Sequence, residues 1–197
     1  LEARLDDSVL GGDFSAATVE PGEPPSTNGT VWWKWTAPEN GRVRTEPHYN
    51  SRQIRRDVFT GTALSNLVPV PLEAQANPSY PDSVIVSFLV EGGKTYFIRL
   101  GADTRSQDWS EISLRFEAEV PNDSFQDALG LLADDSPIPI PQGFSTFERD
   151  EPERHSDDTG SRWYRYTALE SGILFLAGPE WTTLYSGTVL TNLQPIA

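Results

Sequence analysis

Cysteine and methionine are both missing from these 197 residues. Without cysteine there is no disulfide, no thiolate nucleophile and no thiolate metal site. Without methionine, Leu1 is not a translation start, and no charged-then-apolar leader precedes it; we expect a processed product or a window on a longer chain. Histidine is scarce, with only His48 and His155, each in a polar stretch. Basic residues number 15 against 29 acidic ones, giving a net charge of −14. Nucleic acid and anionic membranes need clustered Lys and Arg, so neither is expected as a partner. No run of about eighteen apolar residues exists, so no membrane insertion is expected. Helical periodicity is also scarce, and 16 prolines are spread along the chain.

What is present in quantity is aromatic residues, and they are arranged as a repeat. TVWWKWTAPENG (Thr30 to Gly41) returns as SRWYRYTALESG (Ser161 to Gly172). Trp32 meets Trp163, Trp33 meets Tyr164, Lys34 meets Arg165 and Trp35 meets Tyr166. Upstream, Thr18, Glu20, Glu23 and Pro24 meet Thr146, Glu148, Glu151 and Pro152. Downstream, VFTGTALSNLVPV (Val58 to Val70) meets LYSGTVLTNLQPI (Leu184 to Ile196). Such self-similarity makes each repeat one structural unit. The repeats predict one domain over 1–120 and part of a second over 121–197. Nothing in the second matches Pro71 to Val120, so we expect the continuing chain or a neighbouring one to supply the missing strands.

Alternation of apolar and polar residues predicts strands. Ile112, Leu114, Phe116, Ala118 and Val120 alternate with Ser113, Arg115, Glu117 and Glu119. Val84, Val86, Phe88 and Val90 form another such face, then Glu91–Gly92–Gly93–Lys94 reads as a hairpin turn into Thr95 to Leu100. Val31, Trp33 and Trp35 share one face of what reads as the central core strand, because its copy exchanges Trp for Tyr at alternate positions. Arg42 to Thr45 and Asp57 to Thr60 complete an all-β pattern. Asp123 to Ala133 is the one helix candidate, with Phe125, Ala128, Leu129 and Leu132 at helical spacing and Asn122 or Asp123 as its cap.

The order ATVEPGEP, WWKWTAPENG, VFTGTALSNL, VSFLVEGGKTYFIRLGA and PNDSFQDAL resembles bacterial pre-peptidase C-terminal domains. That resemblance implies tandem jelly-roll-like antiparallel β-sandwiches, the second incomplete, in a secreted or cell-surface protein. The related collagen-binding domains of clostridial collagenases carry calcium, and the resemblance carries that pattern onto Glu117, Glu119, Asn122 and Asp123, with Asp157 and Asp158 before the second aromatic strand. Calcium takes six to eight oxygen ligands, which carboxylates and an Asn carbonyl suit. The first repeat departs from the pattern, with Ser26–Thr27–Asn28–Gly29 where carboxylates would stand. The bland reading of the same residues is a solvated strand face and a helix cap.

Catalysis finds little support. No zinc-binding pair, nucleophile elbow or phosphate loop is present. Trp32, Trp109 and Trp181 are candidate interface or ligand residues, since flat aromatic faces stack on sugar rings and dock on proteins. The expected function is a non-catalytic spacer or assembly module, its partners being other copies or adjacent domains, with an extracellular fibre as one product. The alternative is a module holding a secreted hydrolase to collagen or polysaccharide.

Overall fold

The computed structural model describes residues 8–26, 29–47, 54–77, 80–102, 109–132, 138, 140–152, 160–176 and 182–196. The chain divides into two units, Leu1–Ala118 and Glu119–Ala197.

Unit 1 is an antiparallel sandwich. Its strands are β1 (Ser8–Asp13), β2 (Thr30–Thr36), β3 (Gly41–Pro47), β4 (Ile54–Thr60), β5 (Val68–Pro69), β6 (Glu73–Asn77), β7 (Tyr80–Val90), β8 (Thr95–Ala102) and β9 (Trp109–Ala118). They form a five-stranded sheet in the order β1-β9-β3-β7-β6 and a four-stranded sheet in the order β2-β8-β4-β5. The alternating residues face one another across the gap. Trp33, Trp35, Val58, Ile98 and Leu100 from one sheet pack with Leu10, Val43, Phe88, Ile112 and Leu114 from the other. Burial of these faces is the main favourable term in such a fold. The Trp35 ring lies 6.0 Å from Tyr96 and 5.8 Å from Phe116, both tilted, so it joins the two sheets directly.

Two expectations are corrected. The stretch Glu91–Lys94 does form a tight turn, with Lys94 N–H donating to Glu91 O at 3.2 Å and Gly93 at φ 78°. It is not a hairpin, because β7 and β8 belong to different sheets. The turn from β2 to β3 also changes sheets, and the two corners dock on each other. Ala37 N–H donates to Lys94 O, Gly93 N–H to Ala37 O, and Gly92 N–H to Asn40 Oδ1. A Cβ on Gly92 would stand 2.8 Å from the Glu39 Cα, so the approach requires glycine. Second, β2 is not central but the edge strand of its sheet. Its inward aromatic residues, Trp33 and Trp35, are buried by the facing sheet, which needs no partner on both sides of the strand.

Unit 2 is described by short elements. β10 (Leu129–Gly130) pairs in parallel with β11 (Tyr164–Arg165), and β12 (Tyr185–Ser186) pairs antiparallel with β13 (Gln194–Pro195). The helix expected from Asp123 shrinks to one 3₁₀ turn, Phe125–Asp127, followed by β10. Its N-cap is Ser124, without a side-chain cap bond. The Asp123 carboxylate is engaged elsewhere, and the Leu129 N–H goes to Trp163 O instead of continuing a helix.

The motifs that recur in sequence recur in shape. Gly61 and Gly187 have φ of 144° and 143°. Each is followed by a 3₁₀ turn, Leu64–Asn66 or Leu190–Asn192. Each loop closes with the same backbone bond, Val70 N–H to Val58 O and Ile196 N–H to Leu184 O. Among the described residues no helix is long and apolar enough to cross a membrane.

Trp35→Ala is expected to destabilise unit 1 by about 3–5 kcal/mol, as removal of a core aromatic does. Denaturant unfolding followed by intrinsic fluorescence measures it; a loss below about 1 kcal/mol would contradict this packing.

Candidate functional site

Both repeats build the same recess from short-range contacts. In unit 1 the Glu23 carboxylate accepts the Glu20 N–H at 3.1 Å and the Thr30 hydroxyl at 2.7 Å. In unit 2 Glu151 accepts the Glu148 N–H at 2.7 Å and the Ser161 hydroxyl at 2.8 Å. Gly29 and Gly160 let the chain pass against the Ala17 and Ser145 carbonyls, where any Cβ would overlap the oxygen. Each turn thereby clamps the start of the aromatic strand and forms one wall beside its leading tryptophan. Thr62–Leu64 in unit 1 and Thr188–Leu190 in unit 2 form the opposite wall.

The floor in unit 1 is a cross-strand row, Trp32–Arg99–Asp57, on the outward face of the four-stranded sheet. Arg99 is only 1% exposed. Its Nε and Nη2 donate to Asp57 Oδ2 at 3.1 and 2.6 Å, and its Nη1 donates to the Pro24 carbonyl at 2.6 Å. The guanidinium also lies 5.5 Å from the Trp32 ring and 5.3 Å from the Phe59 ring. Trp32 and Phe59 themselves are 5.7 Å apart. Trp32 Nε1 donates to Thr30 Oγ1 at 3.2 Å, so the ring is half-buried and fixed.

In unit 2 the segment that precedes the recess forms part of its lining, with Phe125 and Gln126 beside Glu148. Asn122 and Trp163 are joined twice: Trp163 N–H donates to Asn122 O at 2.9 Å, and Asn122 Nδ2 to Trp163 O at 3.0 Å. The Asp123 carboxylate accepts the Thr146 N–H at 2.5 Å and its hydroxyl at 2.6 Å. Phe125 donates its N–H to Glu148 at 2.6 Å and sets its ring edge-on to Trp163 at 5.1 Å. Trp163 in turn lies 6.3 Å from Tyr185, as Trp32 lies against Phe59. Asn122 and Asp123 are both buried.

These contacts bear on the residues singled out for calcium. Glu117 belongs to unit 1, where Arg42 reaches it at 2.6 Å, Arg44 at 3.8 Å and Arg115 at 3.9 Å. A carboxylate among three guanidinium groups is poorly suited to a divalent cation. The Asp123 carboxylate accepts both donors of Thr146, and the Glu119 backbone forms an isolated parallel bridge with Phe144. Asn122 Oδ1 is buried without a hydrogen-bond partner among the described residues. Asp157 and Asp158 lie outside the described residues. Among the described residues no group of three or more His, Cys, Asp or Glu converges.

Of the aromatic candidates, Trp32 lines the unit 1 recess with Glu20, Leu64 and Phe97. Trp109 pairs with Asp13 across β1 and β9; its side chain, Trp181, His48 and His155 lie outside what the structure describes. The residues that sequence reasoning passed over are Arg99, Asp57, Thr146, Phe125 and the Glu23 and Glu151 clamps. The clamps had a signal, the repeated Thr-x-Glu-x-x-Glu-Pro. The Arg99 row had none, since Asp57 and Arg99 are brought together only by strand pairing.

Among solved structures, the chain is similar to the pre-peptidase C-terminal domain of collagenase from Bacillus anthracis, a crystal structure at 1.0 Å. The TM-score is 0.38 at 10% sequence identity, over 58% of this chain and 92% of that one. No protein-family model matches the chain, and no curated protein matches it.

Asp57→Ala leaves Arg99 as a buried cation without its counter-ion and is expected to cost about 3 kcal/mol in denaturant unfolding. Asp123→Ala removes two bonds to an ionised acceptor and is expected to cost unit 2 about 1.5–3 kcal/mol. Hydrogen exchange at the Thr146 amide reports the second change locally; unaltered protection would show that Asp123 does not hold it.

Proposed function

We propose that this chain is a non-catalytic structural repeat of a secreted or cell-surface protein, acting as a spacer and assembly module. The second repeat is completed by strands of the continuing chain or of a neighbouring one, and serial completion builds an extracellular fibre. The resemblance to pre-peptidase C-terminal domains supports the non-catalytic and extracellular parts of this reading.

One observation carries the assembly part. In unit 1, Val43 and Thr45 of β3 lie between β7 and β9 and are almost fully buried. Their counterparts in the second repeat, Leu174 and Leu176, are 44% and 42% exposed. The outward positions differ in kind as well. Arg42 and Arg44 hold Glu117 on the outer face of unit 1; Ile173 and Phe175 take their places and are 83% and 88% exposed. A segment apolar on both faces suits a strand covered on both sides. Exposed, it is a template for another chain.

Sedimentation across a concentration series tests the proposal. Self-association is expected, and I173R/F175R, which gives the second repeat the arginines of the first, is expected to reduce it at least about tenfold, the equivalent of 1.4 kcal/mol. A stable monomer at every concentration would sink strand completion.

A further inference from the structure

Strand β4 begins Ile54–Arg55–Arg56–Asp57–Val58, and a strand sends successive residues to opposite faces. Arg55 and Asp57 therefore share the outward face with Arg99. The Asp57 carboxylate serves both arginines, at 3.1 Å to Arg55 Nε and 2.6 Å to Arg99 Nη2. Arg56 faces inward instead, in the row of Ile54 and Val58 and opposite Leu100 of β8. Its half-buried guanidinium crosses to the other sheet where β3 and β7 part, beyond their last pair, Thr45 with Val86. There Nη1 donates to Thr45 O at 3.2 Å and to Thr45 Oγ1 at 3.4 Å, and Nη2 donates to Val84 O at 2.7 Å. The Thr45 hydroxyl gives its own proton to Val86 O, so it meets Arg56 as an acceptor. All three partners are neutral. Arg42, Arg55, Arg99 and Lys94 each meet a carboxylate, but among the described residues none meets Arg56. Burial holds the Arg56 guanidinium below the usual arginine pKa, because a desolvated charge is disfavoured. At the corresponding offset the second repeat has Thr182, so this cation is particular to the first.

We propose that Arg56 is an anion-receiving site that takes a carboxylate at the end of the β3–β7 pairing. A guanidinium carries five N–H donors. The Thr45 and Val84 oxygens take three of them, which leaves Nε–H and one N–H of a terminal nitrogen. The two oxygens of a carboxylate match that remainder, since a planar guanidinium binds carboxylates in a two-pronged fashion. The protein oxygens fix the guanidinium plane before an anion arrives, which lowers the ordering cost of binding. The anion supplies the counter-charge that the half-buried cation lacks, in a place where pairing is stronger than in open water. Access is over a small apolar rim. Val84 is 42% exposed, and Ala76, its partner on β6, is exposed as well. The carboxylate is either a free one or an acidic side chain of a second copy, whose 29 acidic residues against 15 basic ones hold such groups in excess. The exposed strand of unit 2 plays no part in this inference. The assembly reading can therefore fail while Arg56 still binds an anion, and the reverse.

The test follows the arginine Nε–H resonances of the whole chain as sodium acetate replaces sodium chloride at constant ionic strength. The Arg56 resonance is expected to shift saturably, with half-saturation at about 1–10 mM, the range that two charge-assisted bonds reach. Arg115, with its side chain 70% exposed, serves as the internal control and is expected not to saturate. Arg56→Lys keeps the charge and loses the fork. In that variant the acetate response of the Thr45 and Val86 amides is expected to weaken about tenfold. The titration of the parent protein needs no variant, so a folding defect in Arg56→Lys leaves it decisive. A dilution series separates the two sources. An Arg56 shift that grows with protein concentration and is reversed by acetate assigns the carboxylate to a second copy; a shift seen only with acetate assigns it to a free carboxylate. Absence of saturation at Arg56 overturns the proposal, as does an Arg56→Lys protein that binds acetate as tightly as the parent. An Arg56 Nε–H already protected from exchange in dilute protein without acetate means that the same chain supplies the partner, and that result overturns it too.

Discussion

A single buried cation, Arg99, holds the outward face of the four-stranded sheet together. Taking a guanidinium out of water is expensive, and only complete satisfaction of its donors offsets the cost. Here the offset comes from three directions: the Asp57 carboxylate on the next strand, the Pro24 carbonyl of an overlying loop, and two aromatic faces. Each partner is held in place in return. Pro24 lies beside Glu23, so anchoring it fixes the turn whose carboxylate clamps Thr30 and the start of β2. Trp32 and Phe59 sit against the same cation, which orients the tryptophan along the recess. The site is thus an extension of one charge-burial problem and its solution.

The two repeats separate what is local from what is not. The Glu23 and Glu151 clamps close over spans of 7 and 10 residues, and the loops around Gly61 and Gly187 over spans only slightly longer. They take the same form in both units although the surroundings differ, because short loops carry a small closure cost and recruit partners from their own segment. The aromatic strand is not self-sufficient in this way. In unit 1 its inward residues are buried by strands that come from far along the chain, Thr95–Ala102 beside it and Trp109–Ala118 across the core. The second repeat has the local clamps and loops while Ile173, Leu174, Phe175 and Leu176 remain exposed. A sandwich needs long-range pairing to bury its strands, and that is the physical content of the assembly proposal.

Much of this was readable in one dimension. The alternation at Ile112, Leu114 and Phe116 marks a strand and its inward face, and Trp33 and Trp35 are buried as their period implies. The recurring glycines and the Thr-x-Glu-x-x-Glu-Pro pattern mark turns that do recur. Misreadings arose where a local signal had two tertiary outcomes. Glu91–Gly92–Gly93–Lys94 is a tight turn in either case, but whether its strands pair or part is set by the docking of Gly92 and Gly93 on Ala37 and Asn40. Helical spacing after Asp123 was real. It lost to Thr146, which takes the aspartate that would have capped the helix, and to Trp163, which takes the Leu129 N–H.

By itself, the sequence determined the duplication, the strand faces, the turn positions and the absence of thiol chemistry, because these depend on residue type and spacing within a few positions. Only the tertiary structure decided which sheet each strand joins, that β2 lies at an edge, that Arg99 meets Asp57 and Pro24, and that Asn122 and Phe125 pack beside Trp163. Those outcomes depend on contacts between residues tens of positions apart. Such contacts form only when the chain has chosen among pairings that its local pattern leaves equally open.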